Sequence, residues 1–151
     1  MKVKHCYISP DHNYVGHFGG PSGDTPIVSV DSVECVAGSG IRGDRFFDHK
    51  PDFKGQITFF AMETHEGIVD HFHLPDLSPA VYRRNVITEG IDLNDWIGVE
   101  FEVQGIKFVG TEEAKPCFWM NEAVCEGAEE ALKGRGGLRA KILSSGTLRL
   151  G

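Results

Sequence analysis

The sequence predicts a mainly β fold, either a β-barrel or a closed sandwich, with about two short helices. Many short segments alternate apolar and polar residues, and clusters of Gly, Pro, Asp and Ser separate them. Only two segments place apolar residues at helical spacing. Strands do not alternate regularly with helices, which argues against a doubly wound parallel fold. The 151 residues correspond to a single domain that is long enough to bury its own core.

The first half of the chain predicts three strands and a helix. Residues 2–9 alternate and form the first strand, and residues 9–26, rich in Gly, Pro, Asp and His, form a long loop. Strands are predicted over residues 27–37 and 55–60, on either side of a turn-rich segment. Apolar residues then recur at helical spacing, which predicts a helix over residues 60–73.

The second half adds strands in hairpins and a second helix. A strand is predicted over residues 80–88, and residues 99–110 have the alternation of a hairpin with a short turn. A helix is predicted over residues 121–134, with Gly134 as its stop. Residues 138–151 complete the chain as a final hairpin.

Charge and hydropathy exclude several classes of partner. The net charge of −7 argues against a general nucleic-acid binder, although residues 131–151 carry five basic residues and no acid. No apolar run approaches the roughly 20 residues of a membrane span. The first ten residues also lack the apolar region of a signal peptide. The sequence therefore predicts a cytoplasmic protein with neither nucleic acid nor a membrane as a partner.

The four cysteines differ in their sequence surroundings. None forms a Cys-x-x-Cys pair, and in a cytoplasmic chain disulfides are not expected. Cys6 and Cys35 fall within strands and Cys125 within a helix, as buried thiols do. Cys117 follows a proline, lies between a strand and a helix, and has Lys115 close by. A packed thiol and a reactive sulfur are both compatible with that position.

Two other patterns favour structural roles. The run GSGIRG matches a dinucleotide-binding fingerprint, but Pro51 and the lack of helical spacing leave no helix for a pyrophosphate. Its glycines are better suited to turning the chain and placing Asp44 and Arg45. The histidines, which include His12 and His17, lack zinc-ligand spacing and are interpreted as core or surface residues.

Five motifs occur in an order that resembles the MOSC domain, the family named for the C-terminal part of molybdenum-cofactor sulfurases. They are AGSGIRGDRF, GQITFF, VYRRNVITEGIDLNDWIG, KPCFWM and GRGGLRAKILSSGTLRLG. The resemblance extends over residues 27–151, and residues 9–26 precede it as a loop. It implies a mostly antiparallel β-barrel, in agreement with the strand pattern.

The resemblance also implies a site. Cys117 matches the cysteine that ligates molybdenum in cofactor-binding relatives, and a persulfide at this position has been proposed for the family. Motif matches and neighbouring positive charge imply a cofactor-binding set of Asp44, Arg45, Arg83, Arg84, Asn85, Lys115, Gly136, Gly137 and Arg139. Arginine forks suit a phosphate, and a soft thiolate suits a molybdenum centre that already carries sulfur ligands.

Three functions follow from the resemblance. The first is a molybdenum-cofactor-dependent oxidoreductase component that acts on small N-hydroxylated compounds and takes electrons from a separate reductase. The second is a sulfur carrier in which Cys117 accepts a persulfide from a cysteine desulfurase. The third is a non-catalytic cofactor-binding module. The chain shows neither an aminotransferase-like half nor a pyridoxal-phosphate lysine motif, so pyridoxal phosphate is not expected on this chain alone.

Overall fold

The computed structural model describes residues 1–10 and 27–151. The predicted loop over residues 9–26 therefore lies almost wholly outside the described residues, together with His12 and His17. The strands of the described part are β1 (Lys2–Ile8), β2 (Val28–Val30), β3 (Ser32–Val36), β4 (Gly40–Ile41), β5 (Ile57–Ala61), β6 (Val86–Glu89), β7 (Glu100–Val103), β8 (Ile106–Glu113), β9 (Leu138–Ile142) and β10 (Gly146–Arg149).

Helices are few and short. The described α-helices are α1 (Met62–Phe72), α2 (Trp119–Ala123) and α3 (Ala128–Ala131), and two 3-10 turns span Pro79–Tyr82 and Leu93–Trp96. In the described ranges, no helix has both the length and the hydropathy needed to cross a membrane. The predicted mainly β class with a few short helices is confirmed.

The strands form two sheets around one core. The larger sheet has the order β2-β1-β6-β5-β9-β8-β7, and the smaller one has the order β10-β3-β4. All pairs are antiparallel except β5 and β6. β3 contacts β1 and β10 contacts β8, so the small sheet faces the large one and apolar residues of both share one cluster. The enclosure resembles a barrel, but the hydrogen-bonded strands of the described part make two sheets rather than one closed ring.

The parallel pair β5 and β6 requires a crossover, and α1 provides it. The helix packs on the outer face of the large sheet and buries Ile68 there, in a second apolar cluster with Phe60 and Tyr82. Because the two strands run in the same direction, their amino ends lie side by side at one edge of the core. That edge carries the candidate functional site.

The predicted strand over residues 80–88 is wrong in its first half. Ser78 accepts a hydrogen bond from the Ala80 amide and caps a 3-10 turn that has Pro79 at its first position. The turn ends at Arg83, which has a φ of +56°, and the strand begins only at Val86. Local capping therefore outweighs the strand preference of these residues.

Three other sequence predictions are also corrected. The strand over residues 27–37 divides into β2 and β3, and the helix over residues 121–134 divides into α2 and α3 at Gly127, whose φ is +93°. Residues 138–151 do not form a hairpin, because β9 pairs with β5 and β8 whereas β10 pairs with β3 in the other sheet. The turn between β9 and β10 takes the chain from the large sheet to the small one.

Candidate functional site

A cavity of about 410 Å³ opens at the amino ends of β5 and β6. Residues from the segments before these two strands form one wall, and the end of β8 with the segment that follows it forms another. Five of the residues predicted for the site line it together, namely Arg45, Arg83, Arg84, Lys115 and Arg139.

The charge of this cavity contrasts with that of the whole chain. Its lining has five basic side chains and two acidic ones, Glu112 and Glu113, which leaves a formal excess of three positive charges. The chain as a whole carries a net charge of −7. Because a concave site focuses the local field, the cavity attracts anions although the protein is acidic.

Arg45 and Arg83 occupy one side of the cavity. Nη2 of Arg83 donates to Oγ of Ser9 at 2.5 Å, and Nη2 of Arg45 donates a long 3.4 Å hydrogen bond to the Arg83 carbonyl. The Arg45 guanidinium also lies 4.7 Å from the ring centroid of Phe46. Burial lowers the pKa of both arginines, and the Asp44 carboxylate acts in the opposite direction on both. For Arg83, burial together with repulsion from Arg45 lowers the pKa to about 10. A bound anion beside the two guanidinium groups would offset the free-energy cost of burying their charges.

Arg84 is half-buried, and in the described part of the chain its guanidinium donates to backbone carbonyls. Nε donates to Gly136 at 3.0 Å, Nη1 to Tyr82 at 3.3 Å and Nη2 to Ala114 at 3.0 Å. Burial lowers the pKa of Arg84 to about 10, against the opposing effect of the nearby Cys117 sulfur. Among the described residues, no salt bridge to a carboxylate involves this guanidinium.

Arg139 is held by side chains of the protein itself. Nη1 lies 2.5 Å from Oε1 of Glu112, and the guanidinium lies 5.1 Å from the ring centroid of Phe53. A Cβ at position 55 would come within 2.8 Å of the Arg139 side chain, so Gly55 leaves the room that this arginine occupies. Arg139 therefore shapes the wall, and its charge is largely balanced by Glu112.

Asp44 and Asn85 are buried behind the cavity wall. Oδ1 of Asp44 accepts a hydrogen bond from the Ser9 amide at 2.9 Å. Oδ1 of Asn85 accepts from the amide and hydroxyl of Thr58 at 3.0 and 3.1 Å, and its Nδ2 donates to the Tyr7 carbonyl at 3.2 Å. The structure thus places both residues as links between segments, separate from the lining.

Cys117 is the exposed thiol of the four. It is not among the residues that line the cavity, but it lies two residues beyond Lys115, which does, and close enough to Arg84 to affect that residue's pKa. Burial raises the pKa of Cys6 to about 11 and that of Cys35 to about 12, and it also raises the pKa of Cys125. A soluble reagent or ligand therefore reaches Cys117 before the two buried sulfurs.

The two predicted glycines lie at the boundary between two cavities. Gly136 gives its carbonyl to Arg84, whereas Gly137 lines a second cavity of about 580 Å³. That cavity lies at the carboxyl ends of β5 and β6, with the first turn of α1 and Arg135 in its wall. The Gly-Gly-x-Arg motif is therefore divided between the two ends of this strand pair, because Arg139 lines the cavity at the amino ends and Gly137 lines the cavity at the carboxyl ends.

Some lining residues were not predicted from the sequence. Phe46 and Phe53 supply aromatic wall, and Glu112 and Glu113 supply its acidic side. Their signal was present, since Phe46 follows Arg45 directly and the two glutamates shortly precede Cys117. Within the residues that the structure describes, no three His, Cys, Asp or Glu side chains form a group able to hold a metal ion.

Comparison with known proteins identifies the fold through solved structures alone. No protein-family model matches this chain, and no curated protein matches it. The YuaD protein from Bacillus subtilis is similar with a TM-score of 0.77 at 18% identity, over 99% of this chain and 91% of that one.

Two further structures have the same architecture. They are YiiM from Escherichia coli, with a TM-score of 0.67 at 15% identity, and YiiM from Geobacillus stearothermophilus, with a TM-score of 0.65 at 13% identity. The matches cover 99% and 97% of this chain but only 66% and 71% of the YiiM chains. These similarities show that this chain shares the fold of YuaD and YiiM.

Proposed function

We propose that this chain binds the molybdenum cofactor in its cationic cavity, with Cys117 as the protein ligand to molybdenum. The observation that carries the proposal is an excess of three positive charges in a cavity beside the exposed thiol of the chain. The resemblance of five sequence motifs to the MOSC family supports it, as does the similarity of the fold to YuaD and YiiM.

The residues present fit the chemistry of that group. The cofactor carries a phosphate, a polar pterin and a sulfur-ligated metal, and the cavity volume of about 410 Å³ lies in the range of small-molecule sites. Arg45, Arg83 and Lys115, which line the cavity, would bind the phosphate in this proposal, because cationic donors form short, charge-assisted hydrogen bonds to such oxygens. A cysteine thiolate is the soft ligand that a thiolated metal centre accepts.

The chain's own contribution is to bind and orient. When bound, the cofactor supplies a redox-active metal centre, and the protein supplies a thiolate, a positive field and an open face for a small substrate. We propose that the protein is an oxidoreductase component that acts on N-hydroxylated compounds and receives electrons from a separate reductase.

Molybdenum content tests the proposal directly. Wild type, Cys117→Ala and Cys125→Ala would be purified from cells that make the cofactor, and molybdenum per chain measured by elemental mass spectrometry. We expect near-stoichiometric metal in the wild type and in Cys125→Ala, and a loss of at least tenfold in Cys117→Ala. Wild-type protein without metal would contradict the proposal, and equal metal in all three chains would contradict the ligand role of Cys117.

The exposure of Cys117 favours sulfur carriage as a second candidate. A carrier thiol must meet both a donor protein and an acceptor, and Cys117 is exposed whereas Cys6 and Cys35 are buried. In this case a cysteine desulfurase would load a persulfide onto Cys117. Intact-mass measurement would show an adduct of one sulfur atom, removed by reductant and absent in Cys117→Ala. An unmodified wild-type chain after incubation with a desulfurase and cysteine would exclude this candidate.

A further inference from the structure

Arg84 has a different role from that of the other basic residues of the cavity. We infer that it is a positioning residue, which fixes the segment of residues 114–118 against the glycine segment of residues 135–137. Its importance for activity rests on the proposed function of Cys117, which lies in the first of these segments, but the clamp itself is a property of the fold. Sequence motifs alone placed Arg84 among the residues that bind the cofactor.

The hydrogen bonds of Arg84 support this role. Its guanidinium joins three backbone carbonyls from separate parts of the chain, those of Tyr82, Ala114 and Gly136. A guanidinium holds its donors in one rigid plane, so three simultaneous acceptors fix the positions of all three segments. The carbonyl of Ala114 lies three residues before Cys117, at the start of the segment that carries the thiol.

The same two segments are also held together without Arg84. The Ala114 amide donates to the Gly137 carbonyl at 2.8 Å, and the Gly136 amide donates to Oε2 of Glu113 at 3.2 Å. A Cβ on Gly136 would lie only 2.1 Å from the Ala114 carbonyl oxygen and 2.8 Å from Cδ of Pro116. The two segments are therefore in direct backbone contact. Arg84, which precedes β6, adds a hydrogen bond to each of them.

Arg45 provides the contrast. It lines the same cavity, but its guanidinium donates a long hydrogen bond of 3.4 Å to the Arg83 carbonyl and lies against the ring of Phe46. A lysine at position 45 would keep the positive charge that an anion requires. A lysine at position 84 would keep the charge but could not bond three carbonyls in one plane. Replacement by lysine therefore shows whether a position requires only a positive charge, as expected for Arg45, or also the planar set of donors of arginine, as expected for Arg84.

Hydrogen exchange of single amides, measured by NMR, tests the clamp without any ligand. In both Arg84→Lys and Arg84→Gln we expect the Ala114 and Gly136 amides to exchange at least tenfold faster than in wild type. The Val33 amide, in the small sheet, serves as the reporter of global opening and should change less than twofold. Arg42→Gln, which removes an exposed ion pair with Glu34 and a contact with the Phe47 ring, is the control variant and should leave all three rates unchanged.

Molybdenum content supplies the second readout. We expect Arg84→Lys to lose as much metal as Arg84→Gln, whereas Arg45→Lys retains at least half of the wild-type content and Arg45→Gln loses most of it. Retention of metal and of slow Ala114 exchange in Arg84→Lys would overturn the inference, since charge alone would then suffice. Equal acceleration at Val33 would also overturn it, because the effect would be global. If wild type holds no metal, the proposed function fails while the exchange test still decides the clamp.

The wild-type protein offers a measurement that does not depend on whether the variants fold. The Nε–H signal of Arg84 should exchange at least tenfold more slowly than that of the exposed Arg42, and 50 mM inorganic phosphate should leave its chemical shift unchanged. The Nε–H signal of Arg45 should move on addition of phosphate. An Arg84 signal that exchanges as fast as that of Arg42, or that shifts with phosphate as that of Arg45 does, would contradict the clamp.

Discussion

Asn85 illustrates how a single side chain can support a site without touching its contents. Its amide accepts two hydrogen bonds from Thr58 on β5 and donates one to the Tyr7 carbonyl on β1. These bonds hold the amino end of β6 between its two neighbours, directly behind the arginines. A polar residue next to an Arg-Arg pair therefore has a structural explanation here.

Replacement of Asn85 by leucine should destabilise the protein by about 2–4 kcal/mol, because the buried Tyr7 carbonyl and the half-buried Thr58 amide would both lose their partner. Urea unfolding followed by circular dichroism measures the change. Asn94→Ala is the matched control, since this exposed amide makes one bond to the Gly134 carbonyl, and it should cost less than about 1 kcal/mol. Similar free energies for the two variants would contradict the structural role of Asn85.

Single residues also show the limit of sequence inference about the site. Composition and motif order sufficed to select the five basic residues that line the cavity. They could not show that Arg84 bonds to backbone carbonyls while Arg139 pairs with Glu112, because those partners are 27 or more residues away for three of the four contacts. Residue type gives a donor its chemistry, but only the fold decides which acceptor it meets.

At the scale of elements, α1 and the break between α2 and α3 show opposite uses of glycine. Gly67 lies in the interior of α1 at an exposed position, and a Cβ there would meet no atom within 4 Å. Gly127 precedes α3 with a φ of +93°, a conformation that other residues adopt only with strain. The same substitution should therefore have opposite effects at these two positions.

Gly67→Ala should raise the free energy of unfolding by about 0.5–1 kcal/mol, because alanine loses less backbone entropy in a helix. Gly127→Ala should lower it by about 1 kcal/mol or more, because the positive φ is retained only under strain. Thermal unfolding of the two variants beside wild type provides the comparison. Shifts of the same sign would contradict the opposite roles of these two glycines.

Helices and strands with one buried face were predicted well from the sequence, whereas the pairing of strands that lie far apart in the chain was not. The spacing of Ile68 with its neighbours marked α1, and alternation marked β7 and β8, since a buried face imposes a period on the local sequence. The partner of β10 is β3, more than a hundred residues earlier in the chain, and no local pattern records such a pairing. The final hairpin was therefore an error of topology and not of strand assignment.

At the scale of the whole molecule, a buried histidine couples stability to pH. His65 is 4% exposed, and its Nδ1 lies 2.9 Å from the hydroxyl of the fully buried Tyr82. Burial lowers the pKa of His65, although a backbone hydrogen bond at Leu77 and the Glu66 carboxylate act in the opposite direction. The unfolded chain therefore binds a proton at this residue at a higher pH than the folded chain does.

The free energy of unfolding contributed by His65 should be constant above its unfolded pKa of about 6.5 and should fall as the pH decreases below that value. The direction follows because protons bind preferentially to the unfolded state. Urea unfolding between pH 7.5 and pH 5 would measure the slope in wild type and in His65→Gln. The variant should have a shallower slope, and an identical slope would assign the pH dependence to other groups.

Two buried thiols lie in different sheets, so their rates of alkylation would report how the core opens. Cys6 lies on β1 and Cys35 on β3, both without solvent exposure, so an alkylating reagent meets them only when the core opens. If the two sheets separate and unfold as one cooperative unit, both sulfurs should become labelled with the same rate constant. If the small sheet detaches first, Cys35 should be labelled ahead of Cys6, and the order of labelling would then identify the weaker half of the molecule.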